Sequence, residues 1–94
     1  MILKNLNNSV IGTLREALGL DNDDHSKDDQ IVNMTQEKCL ELYLKQQNIN
    51  IFPVTVQAII LEQARNPLEF NNYLLQFGIF GEMCDEILII LKAQ

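Results

Sequence analysis

The sequence predicts an all-α fold: a small bundle of four or five helices, with one acidic loop after the first helix. Three observations predict it. Apolar residues recur at intervals of three and four through most of the chain, which is the period of one face of a helix. Residues that start and stop helices punctuate that pattern at short spacings. No alternating run is joined to another by an Asn-Gly or Asp-Gly turn, so a hairpin has no support. With 94 residues, the chain suits a single helical domain, residues 1–94, expected to be a complete small protein. A domain of this size is only marginally stable unless a partner, a disulfide or a metal adds to its core.

The first helix, about residues 2–18, carries a stripe of Leu3, Leu6, Val10, Leu14 and Leu18, widened by Ile11 and Ala17. Gly12 weakens it slightly, and Gly19 stops it, with Leu20 folding back behind. Residues 21–30 then hold five aspartates, one lysine and no apolar side chain. They read as a solvated, mobile loop. A second helix is expected from Thr35 to about Gln47, with Ser26 and Asp29 as a rival, earlier capping pair. Pro53 opens a third helix over 54–65, whose apolar residues run almost all round and suggest a central, buried element. In the run Asn66-Pro67-Leu68-Glu69, a cap, an N1 proline and a capping-box glutamate open a fourth helix. It ends at Gly78 with Ile79 behind. The last helix, about 81–92, has acids early and Lys92 late, as its dipole favours. Its run Ile87–Leu91 also fits a buried strand, but no partner strand is in view.

The charge balance narrows the function. Thirteen acidic residues against seven basic ones give −6, and the basic residues are scattered singly, which disfavours nucleic-acid binding. No apolar stretch is long enough for a membrane span. Cys39 and Cys84 belong to no metal or redox motif and fall on apolar helix faces, so both are read as reduced core thiols in a cytoplasmic protein.

Chemistry-bearing constellations are sparse. An EF-hand register starting at Asp21 puts His25, Ser26 and Val32 at its fifth, sixth and twelfth positions, where an oxygen ligand, glycine and glutamate are required. His25 is the single histidine, and nothing in the sequence orients it for acid–base work. No phosphate loop or nucleophile elbow exists. No catalytic, cofactor or metal residues are assigned, and the chain is read as non-enzymatic.

Two surfaces remain. Asp21, Asp23, Asp24, Asp28 and Asp29 form an electrostatic loop suited to a basic protein partner. In the last helix, five consecutive apolar residues circle the axis, and one core covers only part of that circle. Ile87, Ile89, Ile90 and Leu91 are therefore the expected interface of a homodimer. The expected function is a small acidic protein-interaction module: an inhibitor, an immunity- or antitoxin-like partner, or an adaptor. The alternative is a helix-turn-helix regulator that uses residues 35–65 and binds DNA as a dimer.

Overall fold

The computed structural model describes residues 6–92. They form six α-helices: α1 (Asn8–Ala17), α2 (Asp28–Val32), α3 (Gln36–Gln46), α4 (Pro53–Arg65), α5 (Phe70–Leu74) and α6 (Glu82–Lys92). Short 3-10 turns, Pro67–Glu69 and Leu75–Phe77, flank α5. There is no strand among the described residues, so the chain is an all-α bundle and Ile87–Leu91 is helical. The helix beyond the expected four or five is α2, a single turn carved from the end of the acidic segment. Leu3, assigned to the first apolar stripe, lies outside the described residues.

The local signals act largely as their chemistry requires. Asn7 Oδ1 accepts from the Val10 amide at 2.8 Å to cap α1, and Thr35 Oγ1 accepts from the Lys38 amide at 3.1 Å to cap α3. Gly19 ends α1 at φ +84°. The Gly19 and Leu20 amides then donate back to the Glu16 and Arg15 carbonyls at 2.9 and 3.0 Å, satisfying orphan acceptors of the last turn. Asn48, at φ 62°, ends α3 in the same way, with the Ile49 amide returning to the Leu44 carbonyl at 2.9 Å. Gly12 is buried because α1 presses on the following segment: a Cβ there would stand 3.3 Å from Asn22 Cβ.

The centre of the bundle is α3. Its Leu40, Tyr43 and Leu44 are buried, and α1, α4 and α6 pack around it. Val10 and Leu14 of α1, Val56 and Ile59 of α4, and Ile87 and Ile90 of α6 complete the core with Phe70, Leu74 and Ile79.

This arrangement corrects the expectation that residues 54–65 form the central helix. Only Val56 and Ile59 of α4 are buried, because α4 lies at the periphery with one face on the core. A second correction concerns the turn at 66–69. The Asn66 amide donates to the Glu62 carbonyl at 2.8 Å, so Asn66 closes α4. Its side chain caps nothing, and residues 67–69 form a 3-10 turn instead of a capping box.

Candidate protein-interaction surfaces

The acidic segment is built around a buried cation. Arg15, on the flank of the α1 stripe, is 8% exposed. A guanidinium taken out of water requires an anion with matching geometry. Asp28 supplies it: Nε donates to Oδ1 at 3.0 Å and Nη2 to Oδ2 at 2.8 Å. The remaining nitrogen, Nη1, donates to the Asn22 carbonyl at 2.9 Å. Hydrogen bonding from Arg15 holds the Asp28 carboxyl below its ordinary pKa, and the same bond raises that of Arg15. His25 joins the pair, with Nδ1 2.9 Å from Asp28 Oδ2 and 3.0 Å from Arg15 Nη2. The fold therefore orients the single histidine, which the sequence alone gave no reason to expect. Its ring stays largely in solvent.

The five aspartates consequently separate into roles. Asp28 is internal to the fold. Asp24 accepts from the Ser26 amide at 2.9 Å, which lowers its pKa. Asp21, Asp23 and Asp29 are exposed. The loop also ends earlier than the 21–30 boundary, at Lys27, because Ile31 just beyond it is buried and anchors α2.

The C-terminal helix turns out differently from its expected role. Ile87, Ile90 and Leu91 are buried, and Ile89 is partly buried against the same core. The expected interface is thus spent inside the chain. The reason is that α6 packs against both α1 and α3, so more than one stripe of its circumference is covered. Two polar ties fix it there. Glu86 accepts from Tyr43 Oη at 2.5 Å and also from the Ser9 hydroxyl, while Gln36 Nε2 donates to the Leu91 carbonyl at 2.8 Å.

The apolar surface left over lies elsewhere. Phe52, Val54, Leu61, Leu68, Leu75 and Phe80 are each more than half exposed. On α4, Val54 and Leu61 are seven residues apart and share one face, with Ala58 between them. Val56, Ile59 and Gln63 occupy the opposite side, so α4 carries two apolar stripes and only one has a partner within the chain. Leu75 and Phe80 border a second place, an open pocket of about 340 Å³ beside Asn71, Asn72 and Gly81. None of these exposed side chains was singled out from the sequence. The readable signal was the double stripe in 54–65, which resembles a buried helix until the neighbouring helices are placed.

Cys39 and Cys84 are free and buried, and burial raises both thiol pKa values, the opposite of an activated nucleophile. No helix among the described residues is long and apolar enough to cross a membrane. The two-helix unit at 35–65 gives a DNA groove little to read. Its first helix is the centre of the core, the outer face of its second is Val54, Ala58 and Leu61, and Lys38 is paired with Glu41 at 3.2 Å. Comparison with protein-family models, curated proteins and solved structures finds no match, so the functional reading rests on the chemistry of these surfaces.

Proposed function

We propose that this chain is a non-enzymatic protein-interaction module that acts in the cytoplasm by binding a basic partner protein, in an inhibitor, immunity- or antitoxin-like, or adaptor role. The observation that carries the reading is the exposure of large apolar side chains in groups, with Leu75 and Phe80 brought together at one open pocket and Val54 and Leu61 on one face of α4. Monomeric proteins seldom present clustered apolar surface without a contact to make. Leu75 and Phe80, rimmed by the two asparagines, have the make-up of an interface anchor: an apolar centre with polar groups around it. The exposed Asp21, Asp23 and Asp29 add a negative field that steers a basic protein towards the chain.

The test is affinity capture from the source cell followed by titration of the purified partner. One basic protein is expected to bind at a single stoichiometry, and Phe80→Asp is expected to weaken binding by at least roughly tenfold. Salt-dependent retention on duplex DNA, with no protein captured, would favour the helix-turn-helix alternative instead.

A further inference from the structure

We infer that the pocket between Leu75 and Phe80 receives a basic amphipathic helix of the partner protein, with a bulky apolar side chain in the pocket and Lys or Arg beside it pairing with Glu69 and Asp85. The inference rests on the proposed interaction function, and it names the site and the segment that fills it.

The pocket is built into the fold. Leu75 belongs to the 3-10 turn after α5, and Phe80 stands just before α6. Gly78 lies between them in the left-handed conformation, at φ +76°, and turns the chain there. Ile79 is fully buried and anchors that turn, while Leu75 and Phe80 stay 55% and 61% exposed. The Cys84 thiol, which lines the pocket, donates to the Ile79 carbonyl at 3.8 Å and ties the start of α6 to the turn. Pockets formed before binding spend little affinity on ordering their walls.

Charge selects the occupant. From Asn66 to Leu91 the chain has no lysine, arginine or histidine, and its acids are Glu69, Glu82, Asp85 and Glu86. Glu86 is turned inward to Tyr43 and Ser9, and the other three are exposed. Two of them are placed at the pocket. Glu69 Oε1 accepts from Asn72 Nδ2, a lining residue, at 3.5 Å, and Asp85 follows Cys84 and lies close enough for its charge to act on that thiol. Neither carboxylate forms an ion pair among the described residues. An apolar pocket with an acidic rim favours a cationic segment and repels an anionic one. The segment is a helix because the described residues offer no strand edge to an extended peptide. A helix satisfies its own backbone and sets a cation one turn from its apolar anchor, on the same face.

Calorimetric titration at low salt tests this with a synthetic helix of leucine and lysine, its leucines three and four residues apart. It is expected to bind one to one with a dissociation constant on the order of 10 μM. The matching leucine–glutamate peptide is expected to bind at least roughly 20-fold more weakly. Phe80→Ser should weaken binding roughly tenfold. Glu69→Gln with Asp85→Asn should weaken it roughly fivefold, an effect that fades at physiological salt. Val54→Ser with Leu61→Ser removes exposed apolar surface on α4 and should leave affinity within about twofold. All five positions are exposed, so helicity should not change. In the wild-type chain, NMR should show the side-chain amides of Asn71 and Asn72 shifting as the peptide is added. Absence of binding, equal binding of the glutamate peptide, amides at Asn71 and Asn72 that do not respond, or equal losses from the α4 variant and Phe80→Ser would each overturn the inference. A captured partner that binds through Phe80 while the leucine–lysine peptide does not would overturn the basic helix alone and leave the proposed function standing.

Discussion

Arg15 of α1 and Asp28 of α2 meet through two parallel hydrogen bonds, at 3.0 and 2.8 Å, and this fork holds the acidic segment against the bundle. Removing one partner leaves the other desolvated, so Asp28→Asn is expected to cost about 2 kcal/mol in urea denaturation at pH 7. The pH dependence has a definite sign. Arg15 depresses the folded pKa of Asp28, so the stabilisation is fully present above the unfolded value of about 3.9 and is lost as pH falls through the folded one. The stability gap between wild type and Asp28→Asn should therefore close below about pH 4. A gap that persists unchanged into acid would remove the ion pair as its cause.

Ile90 and Leu61 provide a direct contrast between core and surface. Ile90 is 1% exposed and Leu61 59%. A glutamate at 90 would bury a charge without a partner, so Ile90→Glu is expected to unfold the domain, which circular dichroism would show as lost helicity. Leu61→Glu is expected to keep the fold within about 0.5 kcal/mol of the wild type. Equal tolerance of both substitutions would contradict the placement of α6 between α1 and α3.

This contrast shows which features were legible in the sequence. The helix ends at Thr35, Gly19, Pro53 and Gly78 were readable because each of these residues acts on neighbours within one turn, whereas the cap at Asn66 and the start of α1, at Asn8 and not near residue 2, were not. Class was readable for the same reason, since the three-and-four spacing fixes helices without reference to tertiary contacts. Which helix is central was not. A stripe states that a face is apolar and leaves open whether another helix covers it, so α4 looked buried and α6 looked half exposed. The acidic segment misled in a related way. In the sequence Arg15 reads as one scattered base, although its buried place on the flank of the α1 stripe requires an anion, and Asp28, thirteen residues on, is the one that reaches it.

Tyr43 reports on how α3 is joined to α6. Its ring is fully buried, and its hydroxyl donates to Glu86 at 2.5 Å. Burial and that carboxylate push the phenol pKa upwards. A raised folded pKa gives stability that is present below the unfolded value, about 10 for tyrosine, and is lost as pH rises beyond it. Wild-type stability should fall with pH above about 10, and Tyr43→Phe should flatten that slope while costing about 1 kcal/mol at pH 7. The buried thiols, also raised, contribute the slope that remains. An identical alkaline profile in Tyr43→Phe would show that the phenol ionises freely in the folded chain.

The division of labour among the aspartates yields the prediction closest to function. Asp21, Asp23 and Asp29 are exposed, and Asp29 engages α2 only through its backbone carbonyl, which accepts from Asn33 Nδ2 at 2.8 Å. Among the described residues their carboxylates form no ion pair, and Asp23 adds only a longer-range attraction to Arg15, so replacing all three with Asn should shift stability by less than about 0.5 kcal/mol. The same substitutions halve the formal net charge from −6 and weaken the field that draws in a basic partner. Association should slow several-fold at low ionic strength, and the difference should shrink at physiological salt, where the Debye length is about 8 Å. Dissociation should change little, because peripheral charges act mainly on encounter. Stopped-flow kinetics with the captured partner separate the two rates. Asp28→Asn should give the reverse pattern, a clear loss of stability with a smaller change in association rate, since its charge is already neutralised by Arg15. If the triple variant associates as fast as wild type at low salt, the segment serves the fold through Asp28 and Ile31 and takes no part in recognition.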